Sequence, residues 1–223
     1  MILNSSIEET NYYKKNGYVI FKNIINEKSR LDILEEVYDI FNIPNSIRGN
    51  FKLTTKYLSK LFQENFAFYH GAAKAANHSI ALNRLSVSKE IIDCIKILGL
   101  NHPNIAGRSV IWFQHKSIAK TENYHALPAH QEWSNMQGSI DGIVAWTPLN
   151  NISTEMGKLK LIPFSHKSGL HPIKKEASST YDLTIDPDFL NEKKFIELSV
   201  NPGDLLLFSA LTIHKSGINN SDT

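Results

Sequence analysis

The chain has 223 residues, of which 42% are hydrophobic and 21% charged, a balance that is typical of a globular protein and excludes a disordered one. Its 24 basic and 22 acidic residues leave a formal charge of +2, and the lysines are scattered, so we expect no nucleic-acid partner. No apolar run is long enough to span a membrane and the N-terminus lacks a leader pattern, so we expect a cytoplasmic protein. The one cysteine, Cys94, is expected to pack in the core.

The first hundred residues are predicted to be mainly helical. Tyr18–Phe21 is an early β-rich run, and Asn26 is a suitable cap for a helix that follows it. The apolar face of that helix is expected to contain Leu31, Leu34, Val37 and Phe41. The spacing of apolar residues predicts further helices over residues 54–76, with one break, and 88–98, where Gly99 marks the end.

From about residue 105 the pattern changes to short strands joined by long irregular connections. The predicted strands are 109–115, 142–147, 158–162, 195–200 and 204–208. Such a pattern is typical of a jelly roll or a related double sheet. We therefore predict an α+β chain with a mainly β core. In it a double-stranded β-helix of the jelly-roll or cupin-like type over 105–223 is buttressed by the helices of 1–104, in a single domain 1–223.

The segment His130-Gln131-Glu132 is the best candidate for chemistry. In a strand, residues two apart point to the same side, so His130 and Glu132 are expected to present an imidazole nitrogen and a carboxylate together. His214, just past the apolar strand 204–208, is the best candidate for a third ligand. Two histidines and one carboxylate leave three open positions on an octahedral metal, the ligand set of non-haem Fe(II) oxygenases. A His-x-acid pair alone is a weak signal in a chain with nine histidines.

Four segments, in the same order, resemble the phytanoyl-CoA dioxygenase family of Fe(II)/2-oxoglutarate oxygenases. The segments are 11–21, ending in Gly-Tyr-Val-Ile-Phe; 128–133, Pro-Ala-His-Gln-Glu-Trp; 146–169, with Gly-Lys-Leu, Ile-Pro and Ser-His; and 202–221, with Pro-Gly-Asp-Leu-Leu-Leu-Phe and then His214. Residues 22–105 match little of the family. Four pieces in the family's order are far more specific than any one of them.

The resemblance implies that His130, Glu132 and His214 hold Fe(II), and that 2-oxoglutarate and O₂ take the remaining positions. It implies oxidation of a small-molecule substrate, with hydroxylation of that substrate and conversion of 2-oxoglutarate to succinate and CO₂. Gln114 and Thr147, expected on strands that flank the site, are candidates to hydrogen-bond the cosubstrate.

Two departures from the family pattern stand out. The family usually has aspartate where this chain has Glu132, but the carboxylate is retained, so conversion to a halogenase is not implied. The family's arginine for the far carboxylate of 2-oxoglutarate, about ten residues past the distal histidine, would lie beyond Thr223. We therefore expect a C-terminal tail, and the alternative is that other residues hold the cosubstrate.

Several residues have a simpler interpretation beside a functional one. His125 is expected to be a solvated loop histidine or a substrate contact, and a cupin-like pair with His130 is less favoured by strand geometry. His166 is expected to make structural hydrogen bonds, and residues 165–193 to form a lid. Core packing is the default for Trp112, Trp133 and Trp146, and a surface ion pair is the default for Arg48, Arg84 and Arg108.

Two other classes of function remain open. One is a jelly-roll protein that binds a metal or a ligand without oxidising anything. The other is a metal-dependent hydrolase or isomerase that needs no 2-oxoglutarate. The substrate of the favoured dioxygenase is not identified, since a polar metabolite, a sugar, an amino-acid derivative and an acyl-CoA are all compatible with the sequence.

Overall fold

The computed structural model describes residues 2–118, 126–174 and 181–223, in which most of the helices come first and most of the strands follow. The helices are α1 Ile2–Asn16, α2 Glu27–Ile40, α3 Phe51–Glu64, α4 Phe66–Ala76, α5 Ile80–Ser86, α6 Lys89–Ile97 and α7 Trp133–Met136. The strands are β1 Tyr18–Phe21, β2 Ile143–Trp146, β3 Lys160–Leu161, β4 Ile196–Glu197, β5 Leu205–Ser209 and β6 His214–Lys215. The order of elements defines an α+β fold with antiparallel sheets. No helix among the described residues has the length and apolar character needed to cross a membrane.

Helices α2 to α5 begin where short polar side chains satisfy free backbone N–H groups of the first turn. Asn26 accepts from the Ser29 N–H at 2.8 Å and caps α2, as predicted. Asn65 ends α3 and caps α4, and so forms the break predicted within residues 54–76. Gly99, with φ of 102°, follows α6 as expected. Leu31 is 43% exposed, contrary to prediction, because it lies beside the buried stripe of α2, which runs through Ile33, Leu34, Val37 and Tyr38.

Strand β5 is the centre of the fold. It pairs antiparallel with β1 on one side and with β2 on the other, and all five of its residues are buried. Because side chains alternate along a strand, Leu205 and Leu207 pack in the core with the helices, whereas Leu206 and Phe208 pack against residues of the second sheet. A strand covered on both faces explains the continuous apolar run.

The second sheet has the order β4-β3-β6, also antiparallel. Leu161 of β3 packs against the first sheet, together with Leu198 and Val200, which follow β4. The described residues therefore form a layer of helices, then one sheet, then the other. The strands of this sheet are shorter than the predicted runs 158–162 and 195–200.

The predicted strand over 109–115 is wrong. This segment forms no ladder among the described residues, and Trp112 is 47% exposed where core packing was expected. Its backbone groups bond to side chains instead: the Ile111 N–H donates to Asn77 Oδ1 at 2.7 Å, and Asn219 Nδ2 donates to the Gln114 carbonyl at 2.7 Å. The apolar residues have the composition of a strand, but no strand pairs with them among the described residues.

Several predictions about single residues are confirmed. Cys94 is buried, and burial raises the pKa of its thiol to about 11, so it behaves as a packing residue. His166 has a structural role, since its Nε2 donates to the Lys14 carbonyl at 3.1 Å. Arg48 makes surface ion pairs with Glu35 and Asp39.

The buried carboxylate of Asp204 ties the turn after β1 to the turn before β5. It accepts from the N–H groups of Asn23 at 3.2 Å and Asn201 at 2.9 Å, and from Lys22 Nζ at 2.8 Å. Burial acts to raise its pKa, but these three donors together hold the pKa of the Asp204 carboxyl below its ordinary value.

We expect Asp204→Ala to lower the free energy of unfolding by about 3 kcal/mol at pH 7, because two backbone N–H groups and an ammonium lose their acceptor. Chemical denaturation measures this change. The lowered pKa means that the contribution is present above the ordinary carboxyl range and is lost as the pH falls, so the two proteins should converge in acid. Lys22→Ala is the control: Lys22 is exposed, and its loss should cost less than about 1 kcal/mol. Equal losses in the two variants would contradict this account.

Candidate metal centre

His130 and His214 lie opposite each other on neighbouring extended segments. The His130 N–H donates to the His214 carbonyl at 3.0 Å, and the His214 N–H donates back to the His130 carbonyl at 3.1 Å. On its other side, His214 in β6 pairs with Leu161 in β3. Residues directly opposite in an antiparallel pair point to the same face, and the two imidazole centroids are 4.1 Å apart.

The backbone conformation that brings Glu132 to the histidines differs from the predicted one. The chain leaves the extended conformation after His130, and Glu132, with φ of −67° and ψ of −23°, stands at the start of the short helix α7. The strand alternation that suggested the pairing is therefore wrong. The carboxylate still reaches the site, with Oε2 at 3.4 Å from His130 Nε2 and 4.0 Å from His214 Nε2. One donor atom from each of the three residues lies within 4.8 Å of the others.

Both imidazoles are held in one orientation by backbone carbonyls. His130 Nδ1 is 2.8 Å from the Pro128 carbonyl, and His214 Nδ1 is 3.0 Å from the Thr212 carbonyl. A carbonyl only accepts, so each Nδ1 carries the hydrogen and donates it. The lone pair of each ring is then on Nε2, the atom that faces Glu132. Such an N–H···O=C bond is the usual support of a histidine that binds a metal.

The burial of the two histidines favours neutral rings, which can donate a lone pair to a metal. His130 and His214 are 2% and 6% exposed. Burial, with the neighbouring His130 as a smaller cause, lowers the pKa of His214 to about 3, so this ring is neutral at pH 7. Two imidazole nitrogens and a carboxylate oxygen, gathered in this way, fit a divalent transition metal.

Aromatic rings flank the two histidines. Phe208 of β5 lies edge-on to His214, with ring centroids 4.6 Å apart, and Tyr181 lies at 4.9 Å from His130. Asn135 links Tyr181 to Glu132 through its side-chain amide. The sequence interpretation missed Asn135 and Tyr181. The spacing of three between Glu132 and Asn135 indicates a contact only if residues 133–136 are known to be helical. Tyr181 is distant in the sequence and lies in a loop, so its position could not be predicted.

Gln131, between two of the candidate ligands, points away from them and is buried. Its Nε2 donates to the carbonyls of Gly169 at 2.8 Å and Leu211 at 2.7 Å, and its Oε1 accepts from the His171 N–H at 2.8 Å. The amide thus fixes the ligand-bearing segment to two loops, one of which leads directly into His214. This role was not predicted either.

Among the described residues, Gln114 and Thr147 make no hydrogen bond to the three candidate ligands. The Gln114 side-chain amide donates to the Gly217 carbonyl, and its segment is not the strand that was expected. Thr147 follows β2, and its buried Oγ1 has no hydrogen-bond partner among the described residues. Their role as contacts of a cosubstrate stays a prediction. His125 lies outside the described residues, as does part of the predicted lid over 165–193.

The comparison with known proteins agrees with this geometry. Residues 13–223 match the family model of phytanoyl-CoA dioxygenase, and the chain therefore belongs to the phytanoyl-CoA dioxygenase family. It is 21% identical over 234 residues to the peroxisomal phytanoyl-CoA dioxygenase of Bos taurus, an alignment that covers 97% of this chain and 65% of that protein. The chain thus spans slightly less than two thirds of the length of this relative.

Solved structures share the fold at low sequence identity. The non-heme alpha ketoglutarate dependent epimerase SnoN from nogalamycin biosynthesis superposes with a TM-score of 0.60 at 14% identity, covering 99% of this chain and 79% of SnoN. The carbocyclase SnoK from the same biosynthesis gives a TM-score of 0.53 at 16% identity, covering 97% and 79%. SnoN has also been crystallised in complex with Fe³⁺, alpha ketoglutarate and nogalamycin RO, and that structure gives a TM-score of 0.56 at 15% identity, covering 99% of this chain and 80% of SnoN.

We expect Gln131→Leu to lower the free energy of unfolding by about 3 kcal/mol, because the apolar side chain leaves three backbone groups without their partner. Denaturant titration gives the value. The matched control is Gln63→Leu, at an exposed position on α3, where the change should stay within about 0.5 kcal/mol. The structural role of Gln131 is refuted if its variant is as stable as the control.

Proposed function

We propose that this chain is an Fe(II)- and 2-oxoglutarate-dependent dioxygenase that hydroxylates a small-molecule metabolite. In this proposal His130, Glu132 and His214 are the ligands of the iron. The observation that carries it is the convergence of two imidazole Nε2 atoms and one carboxylate oxygen, with both Nδ1 atoms fixed on backbone carbonyls. Membership of the phytanoyl-CoA dioxygenase family supports it independently.

We further propose that the two sheets are the faces of a single-domain jelly roll, a cupin-like double-stranded β-helix. Hydrogen bonding beyond β6 supports this. Beside the second sheet, His214 of β6 forms an isolated antiparallel bridge with His130, and the Ile185 N–H donates to the Ala129 carbonyl at 2.9 Å. Ile185 in turn bridges to Ile173. A longer sheet opposite β1-β5-β2 would complete the two faces of such a roll.

The protein residues position the reactants and control the access of water. When bound, the iron would supply the binding of 2-oxoglutarate and O₂ and the redox chemistry of the oxidation. His130 and His214 hold their Nε2 atoms toward one point without needing to move, because their Nδ1–H bonds already fix the rings. Phe208 and Tyr181 cover the sides of the two imidazoles and limit the approach of water.

Glu132 supplies the negative charge of the ligand set. The family's usual residue is one methylene shorter, and the longer side chain here starts from the first turn of α7 and still reaches the histidines. The site thus retains the carboxylate that distinguishes a hydroxylase from a halogenase of this group. A small-molecule substrate, the absence of a nucleic-acid partner, the cytoplasmic location and the contacts from Gln114 and Thr147 stay predictions from the sequence.

The test is an anaerobic titration of the full-length protein with Fe(II) and then 2-oxoglutarate, followed by visible absorption. We expect the charge-transfer band of the chelate, and succinate formation once O₂ is admitted. His130→Ala and His214→Ala should abolish both signals, since each removes an iron ligand. His102→Ala, an exposed histidine outside the cluster, should leave both unchanged.

The other outcomes separate the alternatives. A charge-transfer band without succinate formation favours a protein that binds Fe(II) and 2-oxoglutarate without oxidising anything. Neither a band nor succinate in the unmodified protein rejects the dioxygenase, and favours the hydrolase or isomerase alternative if zinc or manganese then supports an activity.

A further inference from the structure

We propose that Asn135 is a positioning residue that holds the Glu132 carboxylate with a single oxygen directed at the two histidines. The inference rests on the metal site proposed above and adds to it a residue that sets how many oxygens the carboxylate offers. The observation behind it is a hydrogen bond of 3.2 Å from Asn135 Nδ2 to Glu132 Oε1, the oxygen that does not face the imidazoles.

The local backbone places the two side chains together. Glu132 is at the N-terminal boundary of α7, and the Asn135 N–H donates to the Glu132 carbonyl at 2.9 Å. Residues three apart on a helical turn lie on the same face, so the amide of Asn135 comes up against the carboxylate. In a continuing strand the side chains would point to opposite faces. The turn into α7 therefore creates this contact.

The orientation of the Asn135 amide follows from its two partners. A carboxylate only accepts, so the amide nitrogen must be the atom that faces Glu132 Oε1. The same Nδ2 lies 2.7 Å from the Tyr181 hydroxyl oxygen, which accepts its second hydrogen. Asn135 is exposed and water competes for its amide, so the contact with Tyr181 provides a second restraint. The Tyr181 ring is itself packed at 4.9 Å from His130.

The two oxygens of the Glu132 carboxylate therefore have different partners. Oε2 is 3.4 Å from His130 Nε2 and 4.0 Å from His214 Nε2, and Oε1 is bonded to Asn135. A metal held by both histidines would then take one oxygen from Glu132. Without the amide, the carboxylate is free to rotate and to offer both oxygens, which would fill a position that the cosubstrate or O₂ requires. Asn135 thus keeps three positions open.

The experiment uses Co(II) as a redox-stable probe of the full-length protein, with affinity measured by calorimetry and the coordination by the visible spectrum at saturation. Asn135→Ala should bind Co(II) about 10-fold more weakly, a typical effect of removing a hydrogen bond to a metal ligand. Its saturated spectrum should also change, because Glu132 then contributes both oxygens. Tyr181→Phe keeps the ring beside His130 but removes the oxygen, and should shift both readouts in the same direction by a smaller amount.

Asn83→Ala is the matched control. Asn83 is also an exposed helical asparagine, and its amide donates to the Ser79 carbonyl far from the cluster, so neither readout should move. If Asn135→Ala matches Asn83→Ala in both affinity and spectrum, the positioning role is overturned and the metal site stands. A loss of thermal stability with an unchanged spectrum also overturns it, since that is the result of a purely structural role. If the unmodified protein binds no Co(II), the proposed metal site itself is overturned.

Discussion

The backbone groups of His130 and His214 bond to each other in both directions, at N–O distances of 3.0 and 3.1 Å. These two bonds bring together side chains that are distant in the sequence, and they set the separation and the common face of both imidazoles. Each residue then fixes its own ring on the carbonyl two positions before it, Pro128 or Thr212. A three-ligand cluster therefore needs only one further element, a carboxylate that arrives from the side.

The rest of the fold keeps this pair in place. β6 is held by β3 on one side and by the His130 segment on the other, and the sheet they form packs on β5 through Phe208 and Leu161. Fully burying one leucine or phenylalanine side chain stabilises the folded state by roughly 1.5–3 kcal/mol. All five residues of β5 are buried, so this strand is a stable support for the second sheet. The helices back the far face of β5, and in the described ranges they contribute no ligand to the cluster, except that Glu132 stands at the entrance to α7.

The sequence predicted correctly those elements that are determined by residues close to one another in the chain. The cap Asn26, the presence of one break within residues 54–76 and the continuous apolar run of β5 could be predicted, because a side chain or its near neighbours determine them. His130 and His214 followed from ligand chemistry and family resemblance. The strand at 109–115 and the conformation of Glu132 were wrong because composition does not specify a pairing partner or the point where a strand ends. Gln131, Asn135 and Tyr181 were missed, since their roles depend on loops that meet only in the folded chain.

The central claim is that the chain holds a metal through the Nε2 atoms of His130 and His214 and one oxygen of Glu132, with the rings fixed from behind by Pro128 and Thr212. Anomalous diffraction at the iron edge, from crystals grown with Fe(II) under anaerobic conditions, tests it most directly. The account predicts a single peak between the three side chains, bonded to both Nε2 atoms, while each Nδ1 keeps its carbonyl. A peak bound through Nδ1, a peak elsewhere, or no peak at this cluster would contradict it.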